Sequence, residues 1–384
     1  MDFNQDVLLS HFQLRNLLAC ASRDHIFYAG VSKVLHYSSM DNDFPVQPTI
    51  AMDFTEPTAL PTNGYMGPFQ ISTLAVAHSI LVTGGFNGEY GMVNLRAEYK
   101  SKHTEGILTA DHNAITNHVE VHTSRHSSSP LATFASNDKG LRTIDVNTNK
   151  IVADYKYKHA INCSTMSPDQ RLRVLVGDNR KVSICASENG QILQQLEGHR
   201  DFGFACDWAD DGWTVATGNQ DMKIMIWDAR KWTTSSGTAC PVATIAAEMA
   251  GVRKLKFSPV GSGKRVLVAA EPADFVSVID AETFTSKQTL SFFGEIGGVD
   301  FTNDGQDIVV ANCDTSRGGI MHYERCSLVE VGLRGVESKK RTRGYEGHDW
   351  TANEEDIERH SKSRSTAMQR ARKPAHLGFN LMPF

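Results

Sequence analysis

Residues 198–228 read GHRDFGFACDWADDGWTVATGNQDMKIMIWD. An apolar stretch climbs to a bulky residue, Trp208, and breaks at the polar turn ADDG. A short apolar run follows at 214–217, then a second turn around Asn219 and Asp221, then a second run at 223–227. Runs of four to eight residues, bounded by Gly, Asn and Asp, are the chemistry of strands joined by tight turns.

The same phrase recurs outward from this stretch. INCSTMSPDQ (161–170), VRKLKFSPVG (252–261) and VDFTNDG (299–305) repeat the apolar stretch, the bulky residue and the turn. Aligned on the bulky residue, they give Met166, Trp208, Phe257 and Phe301, with steps of 42, 49 and 44 residues. Stepping back by about 45 reaches Val121 and then Val76, both in strand-like stretches. Each period continues with a strand at 172–176, 214–217, 265–270 or 307–311. A second strand follows at 181–185, 223–227, 276–280 or 319–323, and a third at 192–196, 241–245 or 286–292. The N-terminal stretches 16–21, 25–30, 33–37 and 49–54 supply one further set. Helical periodicity is absent from 16 to 336. Four strands per roughly 45-residue period define a propeller blade. The expectation is therefore an all-β, single seven-bladed propeller over residues 1–336. Two stacked β-sandwiches are the competing fold, and an unbroken period without a linker argues against them.

The 198–228 period resembles a WD repeat. Gly198-His199 precedes it, Thr217 lies four residues before Asp221, and Trp227-Asp228 closes it. The resemblance implies a WD40 propeller in which His199, Thr217, Asp221 and Trp227 form a hydrogen-bonded chain inside the blade. That role is structural, because a buried polar chain must be fully paired or it costs stability. Elsewhere the signature is worn. Ile144-Asp145 and Ile279-Asp280 keep the acid and lose the Trp, and Met321-His322 loses both. Residues 271–325, including EPADFVSVIDAETF and FFGEIGGV, resemble a fungal and plant group of uncharacterised WD-repeat proteins that carry a domain of unknown function over the last two blades.

Signs of catalysis are thin. The densest histidine cluster is His112, His118, His122 and His126 with Asp111 and Glu120. His118 and His122 share a strand face, and two ligands are fewer than zinc needs. Neither a metal nor a cofactor is expected. Gly84-Gly85-Phe86-Asn87-Gly88 imitates a phosphate loop, but it lies between two strands with no helix after it, so it reads as a turn. Glu271 and Asp274 pair two acids on a turn without a partner base. The seven cysteines are odd in number and none form a CxxC pair, which suits reduced thiols inside a cell.

Binding is the better expectation, because a propeller holds its loops on a stiff scaffold. Blade position puts Phe202, Gln220, Asn137, Arg180, Asp274 and Phe275 around one channel mouth. Trp227-Asp228-Ala229-Arg230 resembles the motif by which WD-repeat substrate receptors dock onto the cullin-4 ubiquitin-ligase adaptor, with Arg230 as the exposed cation. The expected function is thus a non-catalytic protein-interaction scaffold or adaptor. The alternatives are a cullin-4-type substrate receptor and, more remotely, a propeller hydrolase.

Charge divides the chain. Lys and Arg number 39 against 44 Asp and Glu, a net of −5. Residues 337–373 carry ten bases and seven acids, which leaves −8 for the rest. An acidic body is no general nucleic-acid binder. No apolar run approaches the roughly 18 residues of a membrane helix. Residues 337–373 are nearly free of Val, Ile and Leu, and 337–384 read as a charged, disordered tail that turns apolar again at 377–384. Its basic block, Lys339, Lys340, Arg341 and Arg343, is a nuclear-import candidate, so cytoplasmic or nuclear residence is expected.

Overall fold

The computed structural model describes residues 7–38, 48–59, 68–96 and 102–325. Almost all regular structure among them is β-strand, and the exception is a short 3-10 turn at Asn303–Gly305. Strands pair antiparallel with their sequence neighbours throughout, so every sheet is a simple meander. Five sheets have four strands each, covering residues 18–53, 71–107, 116–156, 161–196 and 203–246.

The last sheet corrects the count of seven separate blades. Residues 254–324 form one six-stranded sheet, so the described strands make six sheets. The cause is a single 16-residue strand, Lys287–Thr302. Its first half pairs with Ala273–Asp280 and its second half with Asp307–Asn312. The strand expected at 286–292 does not end at Phe292. Instead the backbone stays extended through Gly294, at φ +131, where a Cβ would strike the Asn312 side-chain oxygen. The Gly294 N–H is held by Asp274, and the Phe293 carbonyl by the Asn312 amide, each at 2.9 Å.

Apolar layers lie between successive sheets. Leu17, Phe27 and Met52 pack on Phe69 and Leu81, and Ile80 and Tyr90 on Val119 and Phe134. Val174 and Leu196 meet Trp208 and Trp227, and Ala216 and Ile226 meet Leu255 and Leu267. The six-stranded sheet folds on itself in the same manner, with Val268 and Val276 against Val299 and Ile308. Leu18, Ile26 and Tyr28 of the first sheet pack on Val309, Ala311 and Ile320 of the last, which closes a ring. Each strand turns one face to each neighbouring sheet, so both faces are apolar. That is why the sequence shows continuous apolar runs more often than strict alternation.

The first strands of successive sheets lie side by side around the ring axis. Meander topology puts their starts, and the turns between each sheet's second and third strands, on one face. The turns carrying Asp211 and Arg230 lie on the other.

Candidate functional site

Within the fifth sheet, the tight turn at Asn219–Lys223 brings four side chains together. The Trp227 indole N–H donates to Thr217 Oγ1 at 2.9 Å. Thr217 Oγ1 lies 2.9 Å from His199 Nε2, and His199 Nδ1 lies 3.1 Å from Asp221 Oδ2. Burial alone would raise Asp221. The His199 bond and the N–H groups of Arg200 and Lys223 more than offset it and hold the carboxyl below its ordinary range. An ionised Asp221 fixes the imidazole proton on Nδ1, leaving Nε2 to accept from Thr217. His199 and Thr217 are buried, so the chain braces the sheet and offers nothing to a ligand. The third sheet does the same work with an ion pair. Asp138, held down to about 2 by Arg142 and Lys156 against the opposing effect of burial, binds Arg142 at 2.6 Å.

At the axis a second pattern repeats. Strand pairing skips one residue at the same place in successive inner strands: Ser72, Asn117, Asn162, Phe204 and Gly297. Such bulges re-aim a side chain. Each of these residues lies four positions before an anchor of the repeat, and Arg253 stands in the equivalent place before Phe257. In one arc the skipped side chain staples the next sheet. Ser72 Oγ donates to the Thr116 carbonyl at 2.6 Å, Asn117 Nδ2 to the Ile161 carbonyl at 3.0 Å, and Asn162 Nδ2 to the Gly203 carbonyl at 2.9 Å. Phe204 has no donor and the staple stops. The Arg253 guanidinium lies over the Phe204 ring instead, 4.0 Å from its centroid. The carbonyl that Arg253 would staple, that of Ile296, is taken by Arg15 at 3.3 Å.

Four of these residues, Asn117, Asn162, Phe204 and Arg253, line a cavity of about 170 Å³ at the mouth of the channel. Asn16, Asn117, Asn137, Asn162, Phe204 and Arg253 form much of its wall. Phe202 stands at its edge, exposed, and Phe12, Met249 and Phe293 are exposed on the same face. Arg253 is 7% exposed. Its Nη2 donates to Gln220 at 2.6 Å, while Nε and Nη1 have no partner among the described residues. Burial and the neighbouring Arg15 push its pKa down to about 10, so it remains a cation at neutral pH.

Deeper in the ring, carboxylates one residue before the anchors cap the following sheet. Glu120 accepts from the Met166 N–H at 2.9 Å, Asp207 from Phe257 at 2.6 Å, and Asp300 from Cys20 at 2.9 Å. Arg173 pairs with Glu120, and Lys256 with Asp300. Burial pushes Asp207 up to about 7, although the Phe257 N–H and two nearby lysines oppose it.

Of the residues expected at the mouth, Phe202 and Asn137 line the cavity, and Gln220 reaches it through Arg253. Arg180 is exposed and is not in the wall, and neither are Asp274 and Phe275, which lie at the start of the strand Ala273–Asp280, where Asp274 braces Gly294. Arg230 lies on the opposite face, exposed, forked onto Asp228 and 4.9 Å from the Trp213 ring centroid. His112 and His126 sit exposed in loops, whereas His118 is buried and His122 bonds Thr133. Among the described residues no group of three or more His, Cys, Asp or Glu is placed to hold a metal. Residues 84–88 lie at the hairpin between Ile80–Gly85 and Glu89–Asn94. The basic block Lys339, Lys340, Arg341 and Arg343 lies outside the described residues. Sequence reasoning missed Asn117, Asn162 and Arg253, although the repeat period moved back by four residues reaches them all.

Known proteins share this architecture. A chain of the mitotic checkpoint complex superposes with a TM-score of 0.64 at 15% identity, covering 85% of this chain and 91% of that one. The WD40 β-propeller domain of Doa1 superposes with a TM-score of 0.62 at 15% identity, covering 83% and 94%. In sequence, human intraflagellar transport protein 122 homolog is 31% identical over 75 residues, which is 20% of this chain and 6% of that protein. Its Xenopus tropicalis counterpart is 23% identical over 171 residues, 43% of this chain and 13% of that protein. The chain therefore spans a small part of the curated relatives it matches. No family model matches.

Proposed function

Taking the WD40 β-propeller fold as premise, we propose that the protein is a non-catalytic scaffold that binds protein partners on the face around the channel mouth. The observation that carries this reading is the exposure of Phe12, Phe202, Met249 and Phe293 on that face around a small polar cavity. Large exposed apolar side chains ringing anchored polar groups suit a protein interface. One structural neighbour belongs to a multi-protein assembly, which agrees with this reading. The domain body is read as seven repeats. Support comes from the long strand, whose first half is mostly half-buried and whose second half is mostly buried, like the outer strand of one repeat and the inner strand of the next. The likeness of 271–325 to uncharacterised WD-repeat proteins adds no activity to this picture. Residues 337–384 are read as a charged tail whose basic block directs nuclear import, and removing them from a fluorescent fusion should abolish nuclear accumulation.

A second reading rests on Arg230. It is exposed yet held in one orientation by Asp228 and Trp213, as a docking cation for a cullin-4 adaptor would be. Affinity purification from native cells decides between the two. The wild type, a Phe202→Asp/Met249→Asp variant and an Arg230→Ala variant are compared. Loss of stable partners in the first variant alone supports the channel-mouth scaffold. Loss of a cullin adaptor in the second supports the receptor. An unchanged partner set in both sinks both readings.

A further inference from the structure

The cavity at the channel mouth departs from the rest of the ring at one place. Ser72, Asn117 and Asn162 spend their polar atoms on the next sheet. Arg253 occupies the equivalent position with a larger and charged donor group, and it does not make that bond. Arg15 has taken the carbonyl, and only one arm of the Arg253 fork is engaged, by Gln220. Two guanidinium nitrogens remain buried and unpartnered in the wall of a cavity. A buried cation in this condition is costly unless an anion completes it. Phe204 beneath the guanidinium and Gln220 beside it hold the group in place before any ligand arrives.

We propose that Arg253 binds the carboxylate of an acidic side chain, Asp or Glu, presented by a protein partner that docks on this face. The volume of about 170 Å³ suits one side chain and not a folded element. Asn117 and Asn162 in the wall have both amide N–H groups engaged, whereas Asn137 gives one to Asn113 and has a second that can donate to a carboxylate oxygen. The charges around the guanidinium are Arg15, which adds positive potential, and Asp201, which subtracts from it. Asp178 lines the far wall and is engaged by the Asn162 amide at 3.0 Å. One acid already in the wall disfavours a dianionic phosphate more than a single carboxylate. The Arg253 fork, being planar, matches a carboxylate.

This inference rests on the scaffold reading for its partner, and the test separates the two. The full chain, labelled with nitrogen-15, is titrated with N-acetyl-glutamate-N-methylamide while the side-chain N–H resonances of Arg253 and of the wall amides Asn117, Asn137 and Asn162, which the Arg253 variants keep, are followed. The isosteric glutamine compound, the lysine compound and inorganic phosphate are titrated in parallel. The expected result is a saturable shift with the glutamate probe and at least tenfold weaker binding of glutamine and lysine. Arg253→Gln should abolish the response while leaving the melting profile close to wild type. Arg253→Lys should keep less than a tenth of the affinity, since an ammonium lacks the planar fork. Equal binding of glutamate and glutamine, tighter binding of phosphate or lysine, or no saturable shift would overturn the proposal. In affinity purification, partners lost from Phe202→Asp/Met249→Asp but retained at full yield by Arg253→Gln would leave the scaffold standing and remove the carboxylate contact.

Discussion

Two arcs of one ring use the same position in opposite ways. From the second sheet to the fifth, the residue four places before the anchor is Ser72, Asn117 or Asn162, and each bonds the backbone of the next sheet. From the fifth sheet onward it is Phe204 and then Arg253, which stack on one another and bond no neighbouring strand. The difference shows what a repeat can release. Where cohesion comes from a short amide, the channel mouth is closed to ligands. Where stacking and the polar chain of the fifth sheet take over cohesion, side chains at the mouth are left to bind.

The comparison breaks most severely at Thr217. Thr217→Val strips partners from both the Trp227 indole and His199 Nε2 in the buried chain. A loss of about 2–4 kcal/mol is expected in urea unfolding, because two buried polar groups lose their bonds. A small loss would mean that the fifth sheet is not braced from within. Next comes the stapled arc. Asn162→Leu leaves the Gly203 carbonyl without its donor and should cost about 1–2 kcal/mol. Arg253→Met, in the open arc, should change stability by less than about 1 kcal/mol, because the lost stacking on Phe204 is offset by removing a buried unpaired charge. If Arg253→Met proves as costly as Asn162→Leu, the two arcs do not differ in kind.

A pH experiment sharpens the same contrast deeper in the channel. In the native protein, burial holds the Asp207 pKa at about 7, whereas an unfolded aspartate titrates near ~4. A raised native pKa contributes stability below the unfolded value, and that contribution is lost as pH rises through about 7. Asp207→Asn should therefore raise the melting temperature more at pH 8 than at pH 5. An equal effect at both values would contradict the assignment. The smallest effect is expected on the far face. Arg230→Ala should leave the urea unfolding midpoint unchanged, since the side chain is exposed and its fork is local.

Most of the architecture was legible because the anchors Met166, Trp208, Phe257 and Phe301 mark where each inner strand meets its turn. The C-terminal ends of the strands expected at 192–196, 276–280 and 307–311 fall within one residue of the observed ones. The chain at His199, Thr217, Asp221 and Trp227 was legible because its spacing is specific. The join at Phe292–Gly294 was not. The strand was read as ending at Phe292, and the tertiary bonds from Asp274 and Asn312 that keep Gly294 extended leave no mark on the local pattern. The channel-mouth residues were obscured for a different reason. A bulge changes which way one residue points without changing the apolar pattern that marks the strand. Arg253 was read only as part of the stretch 252–261, and the residues at the equivalent place in the other repeats, 42 to 49 residues apart in sequence, were not set beside it.

The ring closure has a consequence for how the chain assembles. Neighbouring sheets meet across 41 to 54 residues, as in the bonds of Asn162 to Gly203 and Arg265 to Asp211. The seam does not. Cys20 reaches Asp300 across 280 residues, and Arg23 reaches Glu324 across 301. During synthesis each middle sheet can lean on its predecessor soon after it emerges, whereas the first sheet keeps Leu18, Ile26 and Tyr28 bare until the last strands arrive. The nascent protein thus carries one uncapped apolar edge for most of its synthesis, and the step that removes it is the latest and most non-local contact of the fold.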